Sequence, residues 1–243
     1  MEYFFDADKP HWPAWSRVQM VDVGWHRFKS GEGVNGALPL YYASLGGFYD
    51  LAERLVGKHP EHVNARGGLM VVPLVAALHQ KHYQIAGLLH RYGADVNVRD
   101  EQENTPLCQA CDDGLLNIVQ WLLNHGADVN AQGFLRRTPL HVATDNVLQI
   151  LLDYGADPTA RDNNGSTPLH FLTWSIPYCT SSRWEGYYSP KGKVEATRLL
   201  LDHGAISDAE DNEGRTALHL ALENGRHDIA ACLTERGGCY ALR

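Results

Sequence analysis

The chain has 243 residues, with 21 Lys and Arg against 29 Asp and Glu, for a net charge of −8. An acidic surface repels phosphate backbones, and no Lys/Arg run offers a local exception, so a nucleic-acid partner is not expected. The longest apolar stretch, Leu69 to Leu78, is interrupted by Pro73 and is too short to cross a bilayer, so no membrane partner is expected either. No basic-then-apolar leader opens the chain, and its five cysteines are odd in number without paired spacing, which is not a disulfide framework. The expectation is a soluble intracellular protein, cytoplasmic or nuclear.

Residues 1 to 33 are rich in rings: Tyr3, Phe4, Phe5, Trp12, Trp15, Trp25 and Phe28. Pro10 and Pro13 forbid a continuous helix, and Gly31, Gly33 and Gly36 loosen the chain beyond them. An irregular cap is predicted, packing Trp12 and Trp15 against the adjoining segment.

From residue 34 the chain is periodic, and Asn104 to Gln132 contains one complete supersecondary unit. Thr105 caps a helix opened by Pro106, whose missing N–H would be unpaired there anyway. Gly114 ends that helix. Leu116, Val119, Leu122 and Leu123 then recur at helical spacing, widened by Ile118 and Trp121, until Gly126 supplies a left-handed closing residue. Two short helices standing back to back cannot bury their apolar stripes alone, so similar neighbours are required. They are present. Leu38, Val72, Thr105, Thr138, Thr167 and Thr216 succeed one another at steps of 34, 33, 33, 29 and 49 residues. The closing glycines Gly93, Gly126, Gly155, Gly204 and Gly237 step by 33, 29, 49 and 33. The period is 33, with a deletion of four residues between Ala143 and Ile150 and an insertion of sixteen after Leu172.

The runs TPLH at Thr138 and Thr167, TALHLA at Thr216, and GADVN at Gly93 and Gly126 resemble the ankyrin-repeat family over residues 34 to 238. The resemblance implies an all-α solenoid of about six helix-turn-helix repeats, with residues 239 to 243 as a tail. A second resemblance runs through FDADKPHWPAW, PLYYASLGGFYDLAERL and KHPEHVNARGG. These look like the region where fungal NACHT-type signalling NTPases enter their ankyrin tails. It implies an alternative function, a ligand-sensing fragment of such an NTPase.

The insertion, residues 174 to 192, carries Trp174, Tyr178, Trp184, Tyr187 and Tyr188 among prolines, glycines and Ser/Thr. It reads as a loop that folds onto the array or forms a second binding patch.

No constellation carries enzyme chemistry. Cys108 and Cys111 form a CxxC without a second pair, and read as small buried helix residues. His79 and His82 stand one turn apart without a third ligand. Gly186 to Val194 imitates a phosphate loop with the wrong spacing and no Ser/Thr for magnesium. No catalytic residue, cofactor or metal is expected. His141, His170 and His219 belong to the TPLH motif, where the resemblance implies a structural role: an imidazole bonded to backbone and Thr hydroxyl that locks neighbouring hairpins.

Function is then expected on the surface. The resemblance implies a non-enzymatic scaffold that holds a protein or peptide partner on its hairpin tips and first-helix faces. The tips are Leu69 and Val71; Glu101, Gln102 and Asn104; Phe134, Leu135 and Arg137; Asn163, Asn164 and Ser166; and Asn212, Glu213 and Arg215. Helix positions on the same face include Gln80, Asp112, Asp113, Glu223 and Asn224, with Trp184 and Tyr187 in the insertion as a further patch. Phe134, Leu135 and Arg137 are the expected hot spot, being large, apolar or guanidinium groups near the middle of the array. Arg136 stands where the family has Gly, which predicts a distorted tip there, with Glu101 and Glu103 available to pair with Arg136 and Arg137.

Overall fold

The computed structural model describes residues 38–67, 71–173 and 190–237. The cap with Trp12 and Trp15, the tip residue Leu69, Trp184 and Tyr187 of the insertion, and the tail 239–243 lie outside the described residues. Among the described residues the chain forms twelve α-helices and two short 3₁₀ turns, no strand, and no helix long and apolar enough to cross a membrane. The contacts divide it into two units, residues 1–96 and 97–243.

In the first unit, α1 (Pro39–Leu45) and α2 (Tyr49–Lys58) form one hairpin, and α3 (Pro73–His79) and α4 (Tyr83–Arg91) the next. Helix α1 packs on α3, and α2 on α4. Leu38 and Val72 sit at the cap positions with extended backbone, but neither side chain can accept a hydrogen bond from the first turn. Val72 is fully buried and Leu38 half-buried, so apolar contact replaces capping there. Gly47 has φ +75°, and a Cβ on it would stand 2.7 Å from the His82 ring, so both conformation and space require glycine.

In the second unit, α5 (Pro106–Asp112) pairs with α6 (Leu116–Asn124), α7 (Pro139–Val142) with α8 (Asp145–Asp153), α9 (Pro168–Thr173) with α10 (Pro190–Asp202), and α11 (Ala217–Glu223) with α12 (His227–Glu235). First helices stack on first helices, and second on second. The leucine after each opening Pro or Ala recurs as the core of the stack: Leu107, Leu140, Leu169 and Leu218 are at most 3% exposed. Leu40 and Leu74 hold the same position in the first unit. The glycines that close the second helices, Gly93, Gly126, Gly155, Gly204 and Gly237, are all left-handed, as their spacing predicted.

Two sequence expectations are corrected, and the four-residue deletion is assigned to its helix. Leu116 is not part of the buried stripe of α6. It opens the helix at 38% exposed, while Ile118, Val119, Leu122 and Leu123 face inward and Trp121 lies stacked on His125 at 3.9 Å. The four-residue deletion does not shorten the second helix of its repeat. Helix α8 keeps nine residues, as α6 does, whereas α7 has four. The chain leaves α7 at Ala143 in extended form, and Asn146 donates from Nδ2 to the Gly114 carbonyl at 3.3 Å. The second helix keeps its length because it carries the stacking surface, and the missing turn comes out of the first helix and its connection. Finally, residues 190 to 192 are not loop: Pro190 opens α10, using its fixed φ at a helix start.

Candidate partner-binding face

In the second unit each tip is built around a residue five before the cap threonine. Asp100 Oδ1 accepts the backbone N–H groups of Gln102 and Asn104, both at 2.8 Å. Asp162 does the same for Asn164 and Ser166, and Asp211 for Glu213 and Arg215. These aspartates were not singled out in the sequence, although their recurrence at one offset was readable there. With α1–α2 counted as repeat one, repeat four is α7–α8, and it has Gly133 at that offset and therefore no carboxylate to hold its turn. Phe134–Arg136 winds into a 3₁₀ turn instead, with Leu135 at φ 56° and Arg136 at φ 60°. The residue two before each cap threonine is left-handed whatever its identity: Glu103, Arg136, Gly165 and Gly214 have φ of 65°, 60°, 72° and 74°.

The tips are bonded to one another. Phe134 N–H donates to Asn104 Oδ1 (3.0 Å), Asn163 N–H to the Leu135 carbonyl (2.9 Å), and Asn212 N–H to the Asn164 carbonyl (2.9 Å). Asn212 Nδ2 adds a bond to the Asn163 carbonyl at 3.0 Å. The GADVN asparagines, which follow the second helices, form a second ladder. Asn97 donates to the Gly126 carbonyl and accepts from Asp128 N–H, and Asn130 does the same with Gly155 and Asp157. In the first unit Asn64 makes the same pair of bonds with Gly93 and Asp95.

Between them lie the imidazoles. His141 Nδ1 accepts the Thr138 N–H at 3.1 Å and contacts its hydroxyl at 2.8 Å, so the ring proton sits on Nε2 and points to the Ser166 carbonyl at 3.1 Å. His170 repeats this from Thr167 to the Arg215 carbonyl, and His219 closes a capping box on Thr216. Burial pulls the His141 pKa down to about 4 and lowers that of His170.

The predicted tip residues divide by occupation. Phe134 is 53% exposed, and Glu101, Gln102, Asn163, Asn164, Asn212 and Glu213 are also exposed. Leu135 and Asn104 are half-buried in the ladder. Ser166 is buried, lending its carbonyl to His141. Arg137 is largely covered: its Nε lies 3.5 Å from the buried Asp162 Oδ2, a charge contact rather than an aligned hydrogen bond, and its guanidinium stands 4.8 Å above the Phe171 ring. Arg215 is bound to Asp211 at 2.9 Å and Glu213 at 2.8 Å. Burial would raise the Asp211 carboxyl, but the bonds from Arg215 and Glu213 outweigh it and hold it below its ordinary value. The expected pairing of Arg136 and Arg137 with Glu101 and Glu103 does not form: Arg136 bonds Gln132 and Glu103 faces Arg99. On α5, Asp113 accepts from Gln109 at 3.1 Å and Asp112 is half-buried. On α11, Glu223 and Asn224 are exposed. Val71, on the first unit's described tip segment, has φ 64°, and Gln80 caps the end of α3.

An open groove of about 630 Å³ is lined by Gln132, Arg136, Asp157, Arg161, Asn163 and Asn212 among others, and Phe134 is not part of its lining. Arg161 reaches the Glu210 carbonyl across its floor. Cys108 and Cys111 are buried, and burial pushes both thiols up. Among the described residues the group that gathers three metal-ligating side chains is His59, Glu61 and His62, not His79 and His82. The His-Pro-Glu-His run was its legible signal.

Helical hairpins bonded to one another through two ladders and an imidazole latch define a repeat module. The family model for ankyrin repeats matches the sequence in three copies, over residues 40–133, 73–162 and 188–241, and the chain belongs to the ankyrin-repeat family. A segment of 74 residues is 35% identical to Alpha-latrocrustotoxin-Lt1a of Latrodectus tredecimguttatus, a match covering 30% of this chain and 5% of that protein's length.

Proposed function

We propose that this chain is a non-enzymatic scaffold that holds a protein or peptide partner on the tips of repeats three to six, with Phe134 as the apolar anchor. Ankyrin repeats are in general protein–protein interaction modules. The observation that carries the reading is the state of Phe134. Its backbone is held by Asn104 on one side and the Leu135–Asn163 bond on the other, yet the residue is 53% exposed. A large ring fixed in place but uncovered loses little freedom on binding, which suits an interface anchor. Glu101, Gln102, Asn164 and Glu213 supply a polar rim, and Arg137 serves the anchor indirectly by fixing the tip through Asp162 and Phe171.

Phe134→Ala is expected to weaken a partner captured by the wild type by about 2 kcal/mol, roughly thirtyfold, with thermal stability unchanged. Capture with mass spectrometry followed by titration of the purified partner measures this. Unchanged affinity with a lowered melting temperature makes Phe134 a packing residue and removes the anchor.

A further inference from the structure

One cluster of ligand-bearing side chains takes no part in the stacking of hairpins. His59 comes directly after α2, and Pro60–His62 forms the 3₁₀ turn beyond it. Pro60 fixes the backbone at the start of that turn, which brings the side chains before and after it to one side. The two imidazoles stack with centroids 4.9 Å apart and planes 16° apart. Glu61 Oε1 lies 3.0 Å from His59 Nδ1 and 3.7 Å from His62 Nε2, and one ligand atom from each residue falls within 4.8 Å of the others.

With metal–ligand bonds of roughly 2.0–2.2 Å, neighbouring ligand atoms around a tetrahedral ion stand roughly 3.4 Å apart. The two carboxylate-to-imidazole spacings bracket that value. The third requires the rings to turn out of their parallel stack. All three side chains are free to do so, being 51%, 62% and 32% exposed.

We propose that His59 Nδ1, His62 Nε2 and Glu61 Oε1 form a surface site for a borderline divalent cation, with Zn²⁺ as the ion the donor set fits best. Two imidazoles and one carboxylate favour zinc over magnesium or calcium, which take oxygen ligands. Each ligand must offer a lone pair, so His59 coordinates through Nδ1 with its ring proton on Nε2. Three protein ligands leave the fourth position to water or to a donor atom from a partner. Without the ion the cluster is a set of exposed polar contacts that contributes little to the fold, so its ligands can be changed without unfolding the turn.

The test is calorimetric titration of the full chain with Zn²⁺ in metal-free buffer, repeated with Glu61→Gln and with the His59→Gln/His62→Gln double variant. Helix content is checked by circular dichroism. The wild type is expected to bind one more zinc equivalent than the double variant, Glu61→Gln to weaken that equivalent tenfold or more, and Mg²⁺ to give no binding. Equivalents held by other histidines or cysteines appear in all three proteins and cancel. If the double variant loses helix content, the Glu61→Gln titration alone decides. Equal stoichiometry and affinity in wild type and variants, or no zinc bound at millimolar concentration, overturns the proposal.

Discussion

The Nε2–H of His141 donates to the backbone carbonyl of Ser166 across 25 residues of sequence, joining the first helix of repeat four to the tip of repeat five. The neutral ring is required by the other bond, in which Nδ1 accepts the Thr138 N–H and so must keep its lone pair. Burial takes the His141 pKa from 6.5 to about 4, and lowers that of His170 for the same reason. Below pH 6.5 the unfolded chain therefore takes up protons that the folded chain refuses, and stability falls as pH drops from 6.5 towards 4. The loss is about 1.4 kcal/mol per pH unit for His141, reaching roughly 3 kcal/mol at pH 4. Urea midpoints measured at pH 7.5, 6, 5 and 4.5 should decline through this window, and more shallowly in His141→Asn. Asp211, held below its ordinary value, loses its contribution only at lower pH.

Arg136 is left-handed at φ 60° on a tip where two equivalent positions are glycine. A left-handed backbone costs an L-residue about 1–2 kcal/mol, and glycine gives back part of that in chain entropy. Arg136→Gly is expected to raise stability by about 0.5–1 kcal/mol. Gly165→Ala is expected to lower it by more than about 1 kcal/mol, because its φ is 72° and the new Cβ would collide with Asn212. Denaturant melts of the two variants should move in opposite directions.

Leu107 is fully buried in α5, whereas Leu116 is 38% exposed at the start of α6. Leu107→Ala should cost about 2–5 kcal/mol and Leu116→Ala under about 1 kcal/mol. Chemical denaturation of the pair distinguishes the stacking position from the surface one, although both are leucines at helical spacing in one repeat.

Lys193 is 7% exposed near the start of α10 and faces Asp145, Arg226 and Asp228. Burial, helped by Arg226, brings its ammonium down from 10.5 to about 8. Between pH 8 and 10.5 the unfolded chain keeps a proton that the folded chain has released, so stability rises with pH there. Lys193→Met keeps the apolar stem and removes the buried charge. It should stabilise by about 1 kcal/mol at pH 7 and abolish the alkaline rise. Thermal melts at pH 7 and 9.5 report both effects.

The period, the Thr–Pro helix starts and the left-handed glycines were legible because each acts within a few residues of itself. The exposure of Phe134 could be read from its place on a tip. Arg137 was not legible as a buried group, since its partners Asp162 and Phe171 lie a repeat away and become neighbours only on stacking. Nor was the placement of the deletion, because the spacing of landmarks cannot tell which helix gives up a turn. Stacking decides that in favour of α8. The His59–Glu61–His62 group was missed for a different reason. It belongs to no repeat position, and a search guided by the period passes over it.

The asparagine side chains of the second ladder imitate a peptide group, offering one donor and one acceptor to the next hairpin's Gly carbonyl and Asp N–H. Asn64, Asn97 and Asn130 present the same pair of bonds, and their receivers are equally alike. Any such hairpin can therefore succeed any other without a new interface having to be invented. At this edge the protein is a set of interchangeable couplings: a whole hairpin can be excised or duplicated with every amide still matched, whereas a cut inside one strands a donor and an acceptor.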